Sequence, residues 1–198
     1  MDSNYKLITD EAYQFLLNFY EQYQEDLEAI ILGGSALLPY LSNYHDIDII
    51  FIWKDYSKRS NNLRACIEFN KSFKQMNIKY SCLNWFLDQY EEAFDEHWPV
   101  YSYLFNQHQL IAGNKVPLWQ EFDILKYPEK IWDTIENQIN RAHNKKWFYH
   151  ILTVLYILWN QSYELTEEQI ININIVHDQQ DQEKIEELYQ WALQQIQD

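Results

Sequence analysis

Apolar residues recur with two different spacings in the first 125 residues, which predicts a mixture of helices and strands. Every third or fourth residue of a helix faces the core, whereas every second residue of a strand does. Thr9 is a residue type favoured at a helix N-cap, and it precedes a run with helical spacing. We therefore expect strands at 29–32, 47–53 and 78–83, and a short strand or turn at 109–112. Helices are expected after Thr9 and at 35–41, 61–76, 87–94 and 100–105.

Beyond about residue 125 the pattern is helical. Pro128 suits the first position of a helix, and Thr166 with Gln169 forms a capping-box pair. The stretch 145–160 is apolar nearly all round, which is typical of a buried helix. We predict helices at 128–143, at 145–160, after Thr166 and at 181–196. The expected fold class is α+β, with a mixed domain at 1–125 and a helical domain at 126–198.

The chain combines a globular composition with a strongly acidic charge. It has 198 residues, 47% of them hydrophobic, and a formal net charge of −15. A partner with a long phosphate backbone requires basic surfaces, so an extended nucleic acid is not expected. The charge favours a cationic small molecule or a basic protein surface. The longest apolar run, 147–159, is too short to span a bilayer, and residues 1–10 lack the apolar core of a signal peptide, so we expect a cytoplasmic protein.

The segment LGGSALLPYLSNYHDIDIIFIW contains two of the three glycines of the chain, Gly33 and Gly34. They follow a predicted strand and precede a predicted helix. Without a Cβ, their backbone NH groups can approach an anion closely. Ser35 adds a hydroxyl at the expected helix start, where the helix dipole also favours anions. These three residues form a candidate phosphate-binding turn.

Two acidic residues enter the apolar strand that follows. Asp46 and Asp48 alternate with Ile47 and Ile49, so the two carboxylates share one face of the strand. Paired carboxylates repel each other unless a cation lies between them, and Mg²⁺ is usually held by one or two carboxylates plus phosphate oxygens. His45 is a further candidate ligand for a phosphate or metal. An ordinary turn beside solvated aspartates would explain either half alone, but the two together favour a Mg²⁺-triphosphate site.

The spacing of these groups resembles a known signature. GGS, a first aspartate eleven positions after the serine, DID and an apolar strand are similar to the signature of the nucleotidyltransferase fold of the DNA polymerase beta superfamily. LEAIILGGSALLPYLSNYHDIDIIF resembles the corresponding region of aminoglycoside (streptomycin/spectinomycin) adenylyltransferases. PVYSYLFNQHQLIAG and HILTVLYILWNQSYELTEEQI resemble later parts of that family more weakly.

The resemblance implies a fold, a reaction and a set of residues. The fold would be a mixed sheet flanked by helices and followed by a C-terminal helical bundle, with the active site between them. The reaction would transfer AMP from Mg²⁺-ATP to a hydroxyl of a small acceptor, such as a cationic, aminoglycoside-like molecule. Asp46 and Asp48 would be the catalytic metal ligands. Gly33, Gly34 and Ser35 would bind the nucleotide.

Three positions depart from the family pattern. The family carries a third carboxylate on a neighbouring strand, and that position falls on Lys79 here. Two basic residues that act on the nucleotide in the antibiotic-modifying relatives fall on Tyr156 and Glu168. Glu68 or Asp88 is the alternative source of a third acid. Without a third acid, the chain would be a catalytically degenerate binding or regulatory module, in which Lys79 would neutralise the two aspartates. A third alternative keeps the reaction but has a protein or the end of an RNA as the acceptor.

Overall fold

The computed structural model describes residues 8–43, 46–89, 108–115, 124–126, 128–142 and 148–197. The described residues divide into two units. The first contains 8–38, 46–89 and 108–115, and it holds the sheet. The second contains 39–43 and the described residues from 124 onwards, and it is helical. The α+β class is thus confirmed, while a domain boundary near residue 125 stays a prediction.

The first unit is built on a mixed sheet of β1 (Leu27–Gly33), β2 (Ile47–Trp53), β3 (Tyr80–Phe86) and β4 (Gln109–Gly113). The strand order is β3-β2-β1-β4. β1 is antiparallel to both β2 and β4, whereas β2 and β3 are parallel. The three predicted strands are confirmed, and the segment 109–112, expected as a strand or turn, is a strand; the bounds differ from the predicted ones by at most three residues.

One face of the sheet packs against two helices, α1 (Asp10–Tyr23) and α2 (Arg59–Phe73). α1 begins where predicted, because the Thr9 side chain accepts a hydrogen bond from the Ala12 NH at 3.2 Å. Aromatic rings fill this interface; the ring centroids of Phe19 and Phe51 lie 5.0 Å apart. Alternate β2 residues supply the core face, which leaves Asp48 on the opposite face, as the alternation predicted.

One helix prediction in this unit is wrong, and another is described only at its start. The expected helix at 35–41 is a single 3₁₀ turn, Ser35–Leu37, because Leu38 is extended with φ −87° and ψ 110°. Residues that precede a proline avoid the helical region, so Pro39 ends the turn. The predicted helix at 87–94 begins as a 3₁₀ turn, Leu87–Gln89. Its remainder and the predicted helix at 100–105 lie outside the described residues.

The second unit contains α3 (Pro128–Ala142), α4 (Phe148–Asn160), α5 (Glu167–Asp178) and α6 (Gln182–Gln197). These four helices match the predictions, and α4 is buried over most of its length. Thr166 and Gln169 form the predicted capping box at the start of α5. Within the described part of the chain, no helix is long and apolar enough to cross a membrane.

The short segment 39–43 is bound to α5. The Ser42 backbone NH and hydroxyl both donate to Asn174 Oδ1, at 2.7 and 2.8 Å. The Asn174 side-chain amide donates in turn to the Tyr40 carbonyl at 2.8 Å, and Asn43 donates to Asp178 at 3.1 Å. Side chains of α5 therefore hold the segment 39–43 within the second unit.

Candidate active site

The end of β1 lies directly beside the start of β2. Gly33 is paired with Asp48 in the antiparallel ladder, so the turn that begins at Gly34 continues next to the Asp48 side chain. The pairing brings the predicted glycine turn and the second predicted aspartate together. Asp46 immediately precedes β2 and is half-buried, as is Asp48.

Gly34 is buried against Asp48 in a backbone conformation that only glycine adopts readily. Its φ is 80° and its ψ is −167°, a region that side chains with a Cβ avoid. A Cβ at this position would lie 2.0 Å from Asp48 Oδ2 and 2.8 Å from Asp48 Cγ. The glycine therefore permits the close approach of the turn to the carboxylate.

The turn presents polar groups that suit an anion. The Gly34 and Ser35 carbonyl oxygens accept bonds from the Leu37 and Leu38 NH groups, at 3.2 and 3.1 Å. The NH groups of Gly34 and Ser35, and the Ser35 hydroxyl, have no hydrogen-bond partner among the residues that the structure describes. Because the turn is one 3₁₀ turn, the helix dipole expected at Ser35 is not present. The NH groups and the hydroxyl remain as donors for phosphate oxygens.

Asp48 is the more constrained of the two acids. The Ser81 hydroxyl donates a short hydrogen bond to Asp48 Oδ1, and Ser81 is the residue paired with Asp48 on β3. Burial raises the pKa of Asp48, and repulsion from Asp46 raises it further, while the bond from Ser81 lowers it. The charged form of Asp48 is thus disfavoured where it lies, which is the condition that a nearby cation relieves.

A magnesium ion fits these residues. The site offers two neighbouring carboxylates, and Mg²⁺ typically takes one or two carboxylates and completes its shell with water and substrate phosphates. No cluster of three or more histidine, cysteine, aspartate or glutamate side chains suited to a metal occurs in the described part of the chain. Substrate oxygens and water would therefore supply the other ligands. His45 lies outside the described residues.

Ser81 is the β3 residue beside Asp48, whereas Lys79 was the residue expected at that position on the neighbouring strand. β3 begins at Tyr80, and the Lys79 carbonyl accepts a bond from the Ile47 NH at 3.1 Å. The Lys79 side chain is exposed, and no ion pair joins it to either aspartate within the described residues. Ser81 was not among the predicted site residues, although its spacing of two from Lys79 places both residues on one face of a strand.

Neither alternative acid lies beside the aspartates. Asp88 follows the far end of β3, and that end lies about 16 Å along the strand from Ser81. The two carboxylate oxygens of Asp88 accept a hydrogen bond from the Tyr56 NH, at 3.1 and 3.0 Å. Glu68 is exposed on α2, where its charge helps to raise the pKa of Tyr23 after the larger effect of burial. Both carboxylates therefore belong to other parts of the first unit.

Tyr156 and Glu168 are the two residues of the helical unit that stand where the resemblance places basic residues. Tyr156 on α4 is buried, and its hydroxyl accepts a bond from the Asn172 side chain at 3.1 Å. Glu168 lies exposed in the first turn of α5. Burial raises the pKa of Tyr156, and the Glu168 charge raises it further. Neither residue supplies the positive charge that the family places there.

The mixed sheet, its flanking helices and the helices that follow define a nucleotidyltransferase-like fold. The crystal structure of spectinomycin adenyltransferase AAD(9) from Enterococcus faecialis, with ATP and spectinomycin, has this fold with a TM-score of 0.57. The match covers 96% of this chain and 100% of that chain at 10% sequence identity. At this identity the likeness concerns the fold. No protein-family model and no curated protein matches the chain.

Proposed function

We propose that this protein is a Mg²⁺-dependent nucleotidyltransferase that transfers AMP from ATP to a hydroxyl of a small acceptor. The observation that carries the proposal is the packing of Gly34 against Asp48. This packing brings a turn with available NH donors next to a pair of acidic side chains. The fold is shared with a protein that was crystallised with ATP and spectinomycin, which supports the nucleotide as substrate.

Each group in the site has a role in this reaction. The NH groups of Gly34 and Ser35 are the proposed donors for the triphosphate oxygens, with the Ser35 hydroxyl beside them. Gly33, the last residue of β1, is the proposed third nucleotide-binding residue, where the missing Cβ leaves room for the phosphates. Asp46 and Asp48 would hold Mg²⁺, which when bound supplies positive charge that offsets the charge of the triphosphate. The Ser81 hydroxyl orients Asp48 through its hydrogen bond.

The bond changes follow from the substrate chemistry. The acceptor hydroxyl oxygen forms a bond to the α-phosphorus of ATP, the bond from that phosphorus to the bridging oxygen breaks, and pyrophosphate leaves. The hydroxyl proton passes to solvent or a nearby base. The net charge of −15 favours a cationic acceptor, because the field of the whole chain attracts positively charged molecules.

The test is release of pyrophosphate from ATP and Mg²⁺ in the presence of a panel of aminoglycosides. We expect release with at least one acceptor, and we expect Asp48→Asn to abolish it. Asp133→Asn is the matched control, because Asp133 is an exposed acid on α3 of the helical unit. Release that survives Asp48→Asn, or that is lost equally in the control, would contradict the proposed mechanism.

One observation favours a second function, that of a degenerate nucleotidyltransferase-like module which binds or regulates without catalysis. Ser81 occupies the position beside Asp48, and its hydrogen bond offsets part of the burial cost of that carboxylate without a metal. This alternative predicts that Mg²⁺-ATP does not change the melting temperature of the protein. A rise in melting temperature that requires both Mg²⁺ and ATP, and that disappears in Asp48→Asn, would contradict this prediction, and pyrophosphate release would then show whether the bound nucleotide reacts.

A further inference from the structure

We propose that a pocket between α4, α5 and α6 binds a small organic cation, such as a protonated or quaternary amine with an apolar body. This α4–α6 pocket has a volume of about 330 Å³, which is at the lower end of the range for small-molecule sites. The proposal does not depend on the proposed nucleotidyltransferase activity. The residues that carry it are Tyr156, Trp159, Glu168, Lys184, Glu187 and Trp191.

Three aromatic rings form one wall of the pocket. The ring centroids of Tyr156 and Trp191 lie 5.2 Å apart, and those of Trp159 and Trp191 lie 6.4 Å apart in an edge-to-face arrangement. Trp159 is 67% exposed. Most of this lining ring is therefore accessible to a ligand. The faces of Trp and Tyr rings carry negative potential and attract cations.

The charges at the pocket favour a cation over an anion. Glu168 and Glu187 contribute two carboxylates. Lys184 is the only basic residue among the described residues that line the pocket, and its ammonium group lies 2.9 Å from Glu187 Oε1. The lysine charge is therefore already offset, and Glu168 has no partner of this kind among the described ion pairs. An anion would meet net negative charge here.

Hydrogen bonds fix two parts of the pocket lining. The Asn172 side chain donates to the Tyr156 hydroxyl at 3.1 Å, which holds the phenol ring in place. The capping box at the start of α5 fixes the turn that carries Glu168. Leu188 adds an apolar surface on α6. An aromatic and aliphatic wall beside a carboxylate recognises a cation that carries alkyl groups better than it recognises a simple metal ion.

The first experiment compares choline with its neutral carbon isostere, 3,3-dimethylbutan-1-ol, in ligand-observed NMR on the full chain without nucleotide or Mg²⁺. We expect choline to bind with a Kd on the order of 1 mM. We expect the isostere, which has the same shape without the charge, to bind at least about fivefold more weakly because it lacks the cation–π attraction. Equal binding of the two, or no choline binding at about 20 mM, tenfold or more above that Kd, would overturn the proposal.

Variants then locate the binding site. Glu168→Gln should weaken choline binding by about two- to fivefold, whereas Glu167→Gln, an exposed neighbour that does not line the pocket, should leave it unchanged. Trp159→Leu should weaken choline binding by about two- to fivefold. Because Trp159 is largely exposed, we expect this substitution to leave the fold intact. Equal effects of the two glutamate variants would place the cation elsewhere and overturn the assignment.

A last control separates this proposal from the proposed catalysis. Asp48→Asn removes the proposed metal ligand in the first unit, so choline binding should be unchanged while pyrophosphate release is lost. Inorganic pyrophosphate is the opposing probe. Pyrophosphate binding that is lost in Lys184→Met, together with an absence of choline binding, would make the pocket an anion site and refute the inference.

Discussion

The contact between Gly34 and Asp48 can be measured through Gly34→Ala. The substitution forces alanine into a backbone region nearly confined to glycine, at a cost of about 1–3 kcal/mol. It also places a Cβ 2.0 Å from Asp48 Oδ2, and overpacking of this kind typically costs another 1–3 kcal/mol or so. The total expected loss in the free energy of unfolding is therefore about 2–6 kcal/mol, a large share of the stability of a typical domain.

A double-mutant cycle separates the two contributions. Asp48→Ala removes the two nearest atoms, Oδ2 and Cγ, and leaves Asp48 Cβ at 3.3 Å as the remaining neighbour. In that background Gly34→Ala should cost only the backbone term, about 1–3 kcal/mol. The four proteins are compared by urea denaturation, and the difference between the two costs is the coupling energy of the pair.

Two results would refute this reasoning. If Gly34→Ala costs the same with and without Asp48, the turn does not lie against the carboxylate, and the proposed site loses the observation that carries it. If Gly34→Ala costs less than about 0.5 kcal/mol, the value common for surface substitutions, the strained backbone conformation is also absent.

The remaining predictions concern pH and a second glycine. The pKa of Asp48 is raised by burial and by Asp46. Between the ordinary carboxyl pKa and this raised pKa, the folded state therefore binds more protons than the unfolded state. Stability falls as pH rises through that range. Asp48→Asn should therefore stabilise the protein at pH 7 more than at pH 3.5 in urea denaturation; an equal gain at both values would contradict this. Gly113→Ala places a Cβ 2.1 Å from the Glu28 carbonyl oxygen at φ 89°, and because backbone cannot move aside we expect a loss of about 3–6 kcal/mol, with an unchanged urea midpoint as the contrary result.

Local chemistry made much of the fold predictable. β2 has the predicted bounds because its β-branched and aromatic residues suit a pleated core strand. Thr9 and the Thr166–Gln169 pair begin helices as predicted, because a cap satisfies donors within its own helical turn. The helix wrongly expected after Ser35 also has a local explanation. Pro39 keeps the preceding residue, Leu38, out of the helical region, so the helix ends after one 3₁₀ turn.

The residues of the candidate site that lie in one segment were predictable, and those that depend on strand pairing were not. Gly34, Asp46 and Asp48 could be proposed from spacing alone, because the turn and the alternating strand are properties of one short segment. Their mutual approach depends on the pairing of Gly33 with Asp48, and the role of Ser81 depends on the pairing of β2 with β3. Register between strands is set by packing across the whole sheet, and a shift of one residue reverses every face. Sequence spacing therefore placed Lys79 at the position of the third acid, whereas the folded sheet places the Ser81 hydroxyl beside Asp48.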